Sequence, residues 1–120
     1  MGYDLIERTT KFGENSIEFC RLIKRDLIVD PLIRQYVRSS TSIGANYSEA
    51  DSAVSKKDFA YKIGVCRREA KETVYWLKMF LTAIPEEKEK ILKLLDEAEQ
   101  LCLIFNSIFC STKKNLEEEN

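Results

Sequence analysis

Apolar residues return every three or four positions along four stretches of the chain. The first stretch is Leu5, Thr9, Phe12, Ser16, Phe19, Ile23, widened by Ile6, Gly13, Ile17 and Cys20. The second is Ile33, Tyr36, Ser40, Ile43, Tyr47, Ala50, Val54, and the third is Phe59, Ile63, Cys66, Ala70, Thr73, Leu77, Phe80. The fourth is Ile91, Leu94, Ala98, Leu101, Phe105, Ile108, broadened by Leu95, Cys102 and Phe109. This spacing follows the turn of an α-helix and not the alternation of a strand. It predicts helices over about 4–25, 31–54, 55–83 and 86–112, with a polar, frayed tail over 113–120. Short connections make sequential helices antiparallel neighbours. The predicted fold is therefore all-α, an antiparallel up-down-up-down four-helix bundle, as a single domain over 1–120.

Local signals mark the predicted boundaries. Asp30-Pro31 opens the second helix, Asp as N-cap and Pro at the first helical position. Ser55 is the predicted N-cap of the third helix, with Asp58 in the capping-box position. Ile84-Pro85 ends it, because the residue before Pro is pushed out of the helical region. Glu86, Glu87 and Glu89 then sit at the positive dipole end of the fourth helix. The run Ser39 to Ala45 consists mostly of small, mediocre helix formers. The seam keeps its register through that run, so it reads as continuous helix in close contact with another backbone; a loop is the alternative.

The third helix is apolar on more than one side. Tyr61, Val65, Tyr75 and Met79 point away from its seam, among Arg68, Glu72 and Lys78, and Trp76 flanks it. Such a face suits an interface better than a solvated surface. The alternative is an irregular bundle in which these residues are ordinary core.

Net charge is −1, so no global field draws the chain to nucleic acid or membrane. The charge is uneven, however. Between Tyr61 and Phe80 stand five bases (Lys62, Arg67, Arg68, Lys71, Lys78) and two acids (Glu69, Glu72), whereas the chain after Pro85 is rich in acids. Arg34, Arg38, Lys56, Lys57, Lys62, Arg67 and Arg68 are the candidate nucleic-acid contacts, with Tyr61 or Tyr75 available to stack on bases. A plain solvated face is the other reading of these charges.

Catalytic chemistry finds little support. The chain has no histidine, no P-loop, no GxGxxG, no GxSxG and no HExxH. Di-metal bundles want Glu-x-x-His pairs, so no metal or cofactor is expected. Glu49, Glu69 and Glu72 could form an inward carboxylate cluster; seam-edge salt bridges with Arg67, Arg68 or Arg38 are the preferred reading. Cys20, Cys66 and Cys102 read as small core hydrophobes rather than metal ligands or disulfide partners, and Cys110 is left open. Asn46-Tyr47-Ser48 matches a glycosylation sequon but lies mid-helix. No signal segment or membrane span is apparent, which predicts a cytoplasmic protein.

Several of these residues recur in one family. Ser42-Ile43-Gly44-Ala45-Asn46-Tyr47-x-Glu49-Ala50, then Phe59 and Lys62, then Glu69-Ala70-x-Glu72-Thr73-x-Tyr75-Trp76-Leu77 resemble the bacterial 23S rRNA-intervening sequence proteins. The likeness covers most of the chain; Ser40 stands where relatives carry Gly, small for small. The resemblance implies a cytoplasmic bacterial four-helix bundle with no established enzymatic activity. The family name describes gene location and does not make this a ribosomal subunit. A similar protein, the accessory variability determinant of diversity-generating retroelements, forms a pentamer with a basic surface that binds nucleic acid and a reverse transcriptase. By that likeness Ser42, Gly44, Asn46, Glu49, Glu69, Glu72 and Trp76 are structural or interface positions, not catalytic ones. The expectation is thus a non-enzymatic homo-oligomer, a pentamer by resemblance, with Tyr61, Val65, Tyr75, Trp76 and Met79 as its interface. Its expected partners are its own copies and RNA or a reverse-transcriptase-like protein, bound through basic positions on helices two and three. The alternative is a scaffold or adaptor for another protein, with no nucleic-acid role.

Overall fold

Tyr36, Ile43, Tyr47 and Ala50 form a buried row along one helix, α2 (Val29–Asp51), around which the rest packs. The others are α1 (Gly2–Arg21), α3 (Lys56–Ala83) and α4 (Lys88–Glu119), the last preceded by a 3-10 turn at Pro85–Glu87. The computed structural model describes residues 2–119; Met1 and Asn120 lie outside the described residues. α2 packs along α1 and α3, and α3 along α2 and α4, while α1 and α4 meet only sparsely. The result is an up-down-up-down bundle measuring 51 × 22 × 21 Å.

The apolar seams turn inward. Every seam position of α1 is buried, Thr9 and Ser16 included, and so is the α3 row from Ile63 to Phe80. Aromatic rings join the layers edge to face: Phe80 meets Phe19 at 5.8 Å and Tyr36 at 5.4 Å between centroids. Each such pair contributes about 1 kcal/mol beyond the area it buries. The buried polar groups satisfy one another. Ser16 and the Tyr36 hydroxyl are 2.7 Å apart, linking α1 to α2, and Thr73 reaches Ser39 at 2.9 Å, linking α3 to α2. Burial pushes the Tyr36 phenol above its ordinary pKa, so it stays a neutral hydrogen-bonding group. Among the described residues no buried side-chain nitrogen or oxygen lacks a partner.

The run of small residues from Ser39 to Ala45 is unbroken helix, and it brings α1 close. A Cβ at Gly44 would stand 3.4 Å from the carbonyl carbon and oxygen of Thr9. The absence of a side chain there sets the distance between α1 and α2.

Four boundaries differ from the sequence expectation. α1 stops at Arg21, where tight turns onto the Phe19 and Cys20 carbonyls leave the helix axis and Ile23 is buried. α2 begins at Val29 rather than Pro31, because the capping group is Asp26: its Oδ1 accepts from Ile28 N at 2.9 Å and Val29 N at 2.8 Å. Asp30, the expected N-cap, instead accepts from Arg25 at 2.9 Å, which holds its carboxyl below the usual range. Pro31 is harmless inside the first turn, where backbone N–H groups have no helical partner. α2 ends at Asp51, so Val54 lies off the seam and is 95% exposed. The expected frayed tail is helical through Glu119: Leu95, Cys102, Phe109 and Leu116 recur every seven residues, and Leu116 is still partly buried. Asn120, the last residue of that expected tail, lies outside the described residues.

Gly44→Val should lower stability by about 2 kcal/mol, as overpacking does. Gly13→Ala should raise it by up to about 1 kcal/mol through helix propensity, since its Cβ would meet nothing nearer than 3.8 Å. Urea unfolding followed by circular dichroism checks both; equal effects would place the close approach elsewhere.

Candidate functional site

The outer face of α3 keeps aromatic side chains at the surface of the bundle. Ser55 Oγ accepts from Asp58 N at 3.0 Å and starts the helix, and the seam then commits one side to the core. On the opposite side Tyr61 is 66% and Tyr75 52% exposed, whereas Val65, Trp76 and Met79 are half-buried. Trp76 is held in place. Its indole Nε1 donates to Glu72 Oε2 at 3.0 Å, and its ring meets Tyr75 edge to face at 5.0 Å. Glu72 also receives Arg38 of α2, and Arg38 Nη1 donates to Glu69 Oε1 at 3.1 Å. A second cross-link joins Lys62 to Glu49, and that hydrogen bond raises the Lys62 pKa. Ser42 and Asn46 bond to carbonyls within α2, those of Arg38 and Ser42. The three glutamates therefore form no inward cluster; each ties α2 to α3 along the bundle's edge.

These pairs divide the seven basic candidates. Arg38 and Lys62 are engaged between α2 and α3. Arg34 lies apart, on the α1–α2 side near Arg25 and Asp30. Lys56 is exposed at the start of α3. Lys57, Arg67 and Arg68 converge on the junction of α3 with α4. There a groove of about 450 Å³ is lined by Lys57, Ala60, Tyr61, Gly64, Val65 and Arg68 of α3, and by Phe109, Lys113 and Leu116 of α4. Gly64 lets the Phe109 ring lie against the α3 backbone: a Cβ there would stand 3.1 Å from Phe109 Cε1. The Arg67 guanidinium sits 4.6 Å from the ring centroid and the Lys113 ammonium 5.9 Å away. Three cations and no acid line the groove.

Phe109, Lys113 and Leu116 were not among the residues that sequence reasoning picked. The heptad row from Leu95 to Leu116 was the available signal, obscured by the polar composition of its last turn. Among the described residues no group of three His, Cys, Asp or Glu side chains is placed to hold a metal ion. No helix is long and apolar enough to cross a membrane.

Comparison with known proteins places this geometry. A family model described as 23S rRNA-intervening sequence protein matches residues 4–107. The chain belongs to that family. A solved structure similar to it is the 1.70 Å crystal structure of a protein of unknown function from the S23 ribosomal protein family of Bacteroides thetaiotaomicron VPI-5482. The two chains are 26% identical with a TM-score of 0.77, over 87% of this chain and 96% of that one. Comparison with curated proteins finds no significant match.

In this 23S rRNA-intervening sequence protein the cysteines are all free thiols. Burial pushes Cys20 and Cys66 up to about 12, and raises half-buried Cys102 by less. The folded chain then keeps protons that the unfolded chain, with thiols near 9, releases. Their contribution is therefore complete below about pH 9 and is lost as pH rises toward 12. Alkylation of the native protein at neutral pH should modify exposed Cys110 and spare Cys20 and Cys66 until denaturant is added; mass spectrometry reads the sites. Glu72→Ala should cost about 1 kcal/mol and shift the emission of Trp76, the sole tryptophan, to the red. Unchanged emission would mean that Glu72 does not hold the indole.

Proposed function

We propose that this chain is a non-enzymatic, oligomeric four-helix bundle that binds RNA or an RNA–protein assembly. One observation carries the reading: the outer face of α3 keeps two exposed tyrosines and gathers cations at one end, although the chain as a whole has net charge −1. The face has two halves. Tyr75, Trp76 and Met79 form the aromatic half, rigid because Glu72 and Arg38 hold the indole, and it packs against another copy. Lys57, Arg67 and Arg68, joined by Lys113, form the half that meets phosphates. The family likeness supports a ring of five copies acting in the cytoplasm, with a reverse-transcriptase-like protein as a further partner.

Light scattering tests the first half. The wild type should have the mass of a pentamer, and Tyr75→Glu/Met79→Glu that of a folded monomer; a monomeric wild type would overturn self-assembly. Titration with labelled RNA tests the second. Arg67→Glu/Arg68→Glu should weaken binding at least tenfold, and wild-type affinity should fall steeply with salt. Binding indifferent to salt and to both substitutions would remove the nucleic-acid role and leave a protein adaptor.

A further inference from the structure

We infer that the groove between α3 and α4 is a site for single-stranded RNA: an unpaired base enters beside Tyr61 and Phe109, while Lys57, Arg68 and Lys113 hold the flanking phosphates. This rests on the RNA reading above and assigns it a place and a strand form.

The charge of the groove comes first. The chain carries 20 acids and 19 bases, yet the nine residues lining this groove include three bases and no acid. Arg67 adds a fourth cation at its edge. Three of the four come from α3 and Lys113 from the last turns of α4, so they converge only because α4 runs on as helix past Thr112. Cations gathered on two sides of one cleft repel each other and favour a ligand with several negative charges.

The floor sets the second requirement. Ala60, Val65, Phe109 and Leu116 make it apolar, and the exposed Tyr61 ring stands beside it, with the Lys62 ammonium 5.9 Å from its centroid. A ligand that fits must therefore be flat and apolar in its middle and anionic along its flanks. A nucleotide strand has that construction, with a π-face on each base and a phosphate on either side. The Phe109 ring already has a guanidinium on it, and arginine planes and aromatic rings both stack on splayed-out bases. A volume of about 450 Å³ is that of a small-molecule pocket, suited to a base and its sugar.

The strand form follows. Duplex RNA keeps its bases paired and is read by shape across its minor groove, whereas stacking on aromatic side chains requires unpaired bases. Further along α3, Lys71 is exposed beyond Arg68, and Glu72 is bound to Arg38 and Trp76 on the α2 side.

The experiment compares three labelled probes on the full chain by fluorescence anisotropy: an oligouridylate, the same strand annealed to oligoadenylate, and a glutamate-rich amphipathic peptide. The single strand should bind at least tenfold tighter than the duplex. Tyr61→Leu, a change at an exposed site, should weaken it about tenfold, as expected for a lost base stack, and leave the salt slope intact. Tyr61→Trp should retain binding. Lys57→Gln/Lys113→Gln should flatten the salt slope by about 0.7 per cation removed. Equal affinity for duplex and single strand, with no effect of Tyr61→Leu, would overturn the base site while the RNA reading stood. Failure of both RNAs to bind would overturn both. Peptide binding without RNA binding would assign the groove to a protein partner and equally overturn the inference.

Discussion

The bundle depends on how closely α2 approaches its neighbours. α1 meets α4 sparsely, through Arg8 on Glu97 and Gln100, and packs mainly along α2. That contact is tightest where Gly44 lies against Thr9, whose Oγ1 would stand 3.3 Å and whose carbonyl 3.4 Å from an added Cβ. On its other flank α2 presents Ser39 to Thr73 and Ile43 to Cys66, again with small groups at the contact. Dispersion falls off steeply with distance, so a wall of short side chains lets three helices share one closely packed seam. Widening either side would open the interior to both α1 and α3 together.

A seam of repeating apolar residues fixes which face is buried more firmly than it fixes axial register, since sliding by one turn still buries apolar groups. The polar pairs remove that freedom. Ser16 meets the Tyr36 hydroxyl, and Ser39 meets Thr73, each 2.9 Å or less apart inside the core. A slip of one turn would leave the Ser16 and Tyr36 hydroxyls buried without each other, a loss of about 1–3 kcal/mol for each group, whereas Ser39 and Thr73 would keep the Tyr36 and Glu69 carbonyls of their own helices. The ion pairs at the α2–α3 edge act in the same direction with less energy. Arg38 and Glu49 keep much of their side chains in solvent, where such pairs contribute about 0–1 kcal/mol. Their role is to specify how α2 and α3 meet, and through Glu72 to orient Trp76.

The four helices were legible because each is long and strongly periodic, and the core residues fell on the expected seams. The ends were less so, for identifiable reasons. Asp26 caps α2 from three positions before its first helical residue, Ile28 between them having a helical backbone; Asp30-Pro31, a stronger local signal, lies inside the helix. The polar composition of residues 113–119 predicts fraying, but one apolar residue, Leu116, continues a heptad row and keeps the tail on α3. For the candidate site, periodicity identified the outward face of α3. It offered Arg38, Arg67 and Arg68 alike as partners for the glutamates, of which Arg38 is the one engaged, and it did not separate Lys62, paired with Glu49, from Lys57 and Arg68, which line the groove. That distinction depends on which acid of another helix lies opposite each base, and a single sequence does not contain that distance.

The same economy explains why α3 can carry a binding face at all. α3 is packed by α2 on one side and α4 on the other, and among the described residues no buried side-chain nitrogen or oxygen waits for an outside partner. Folding thus makes no demand on Tyr61, Tyr75, Lys57 or Arg68. Gathering Lys57, Arg68 and Lys113 around one groove, with no acid among its described lining residues, has an electrostatic cost and brings no gain in stability. Among the described residues that line the groove no acid accompanies Lys57, Arg68 and Lys113, so the proposed ligand would find their charge uncompensated there.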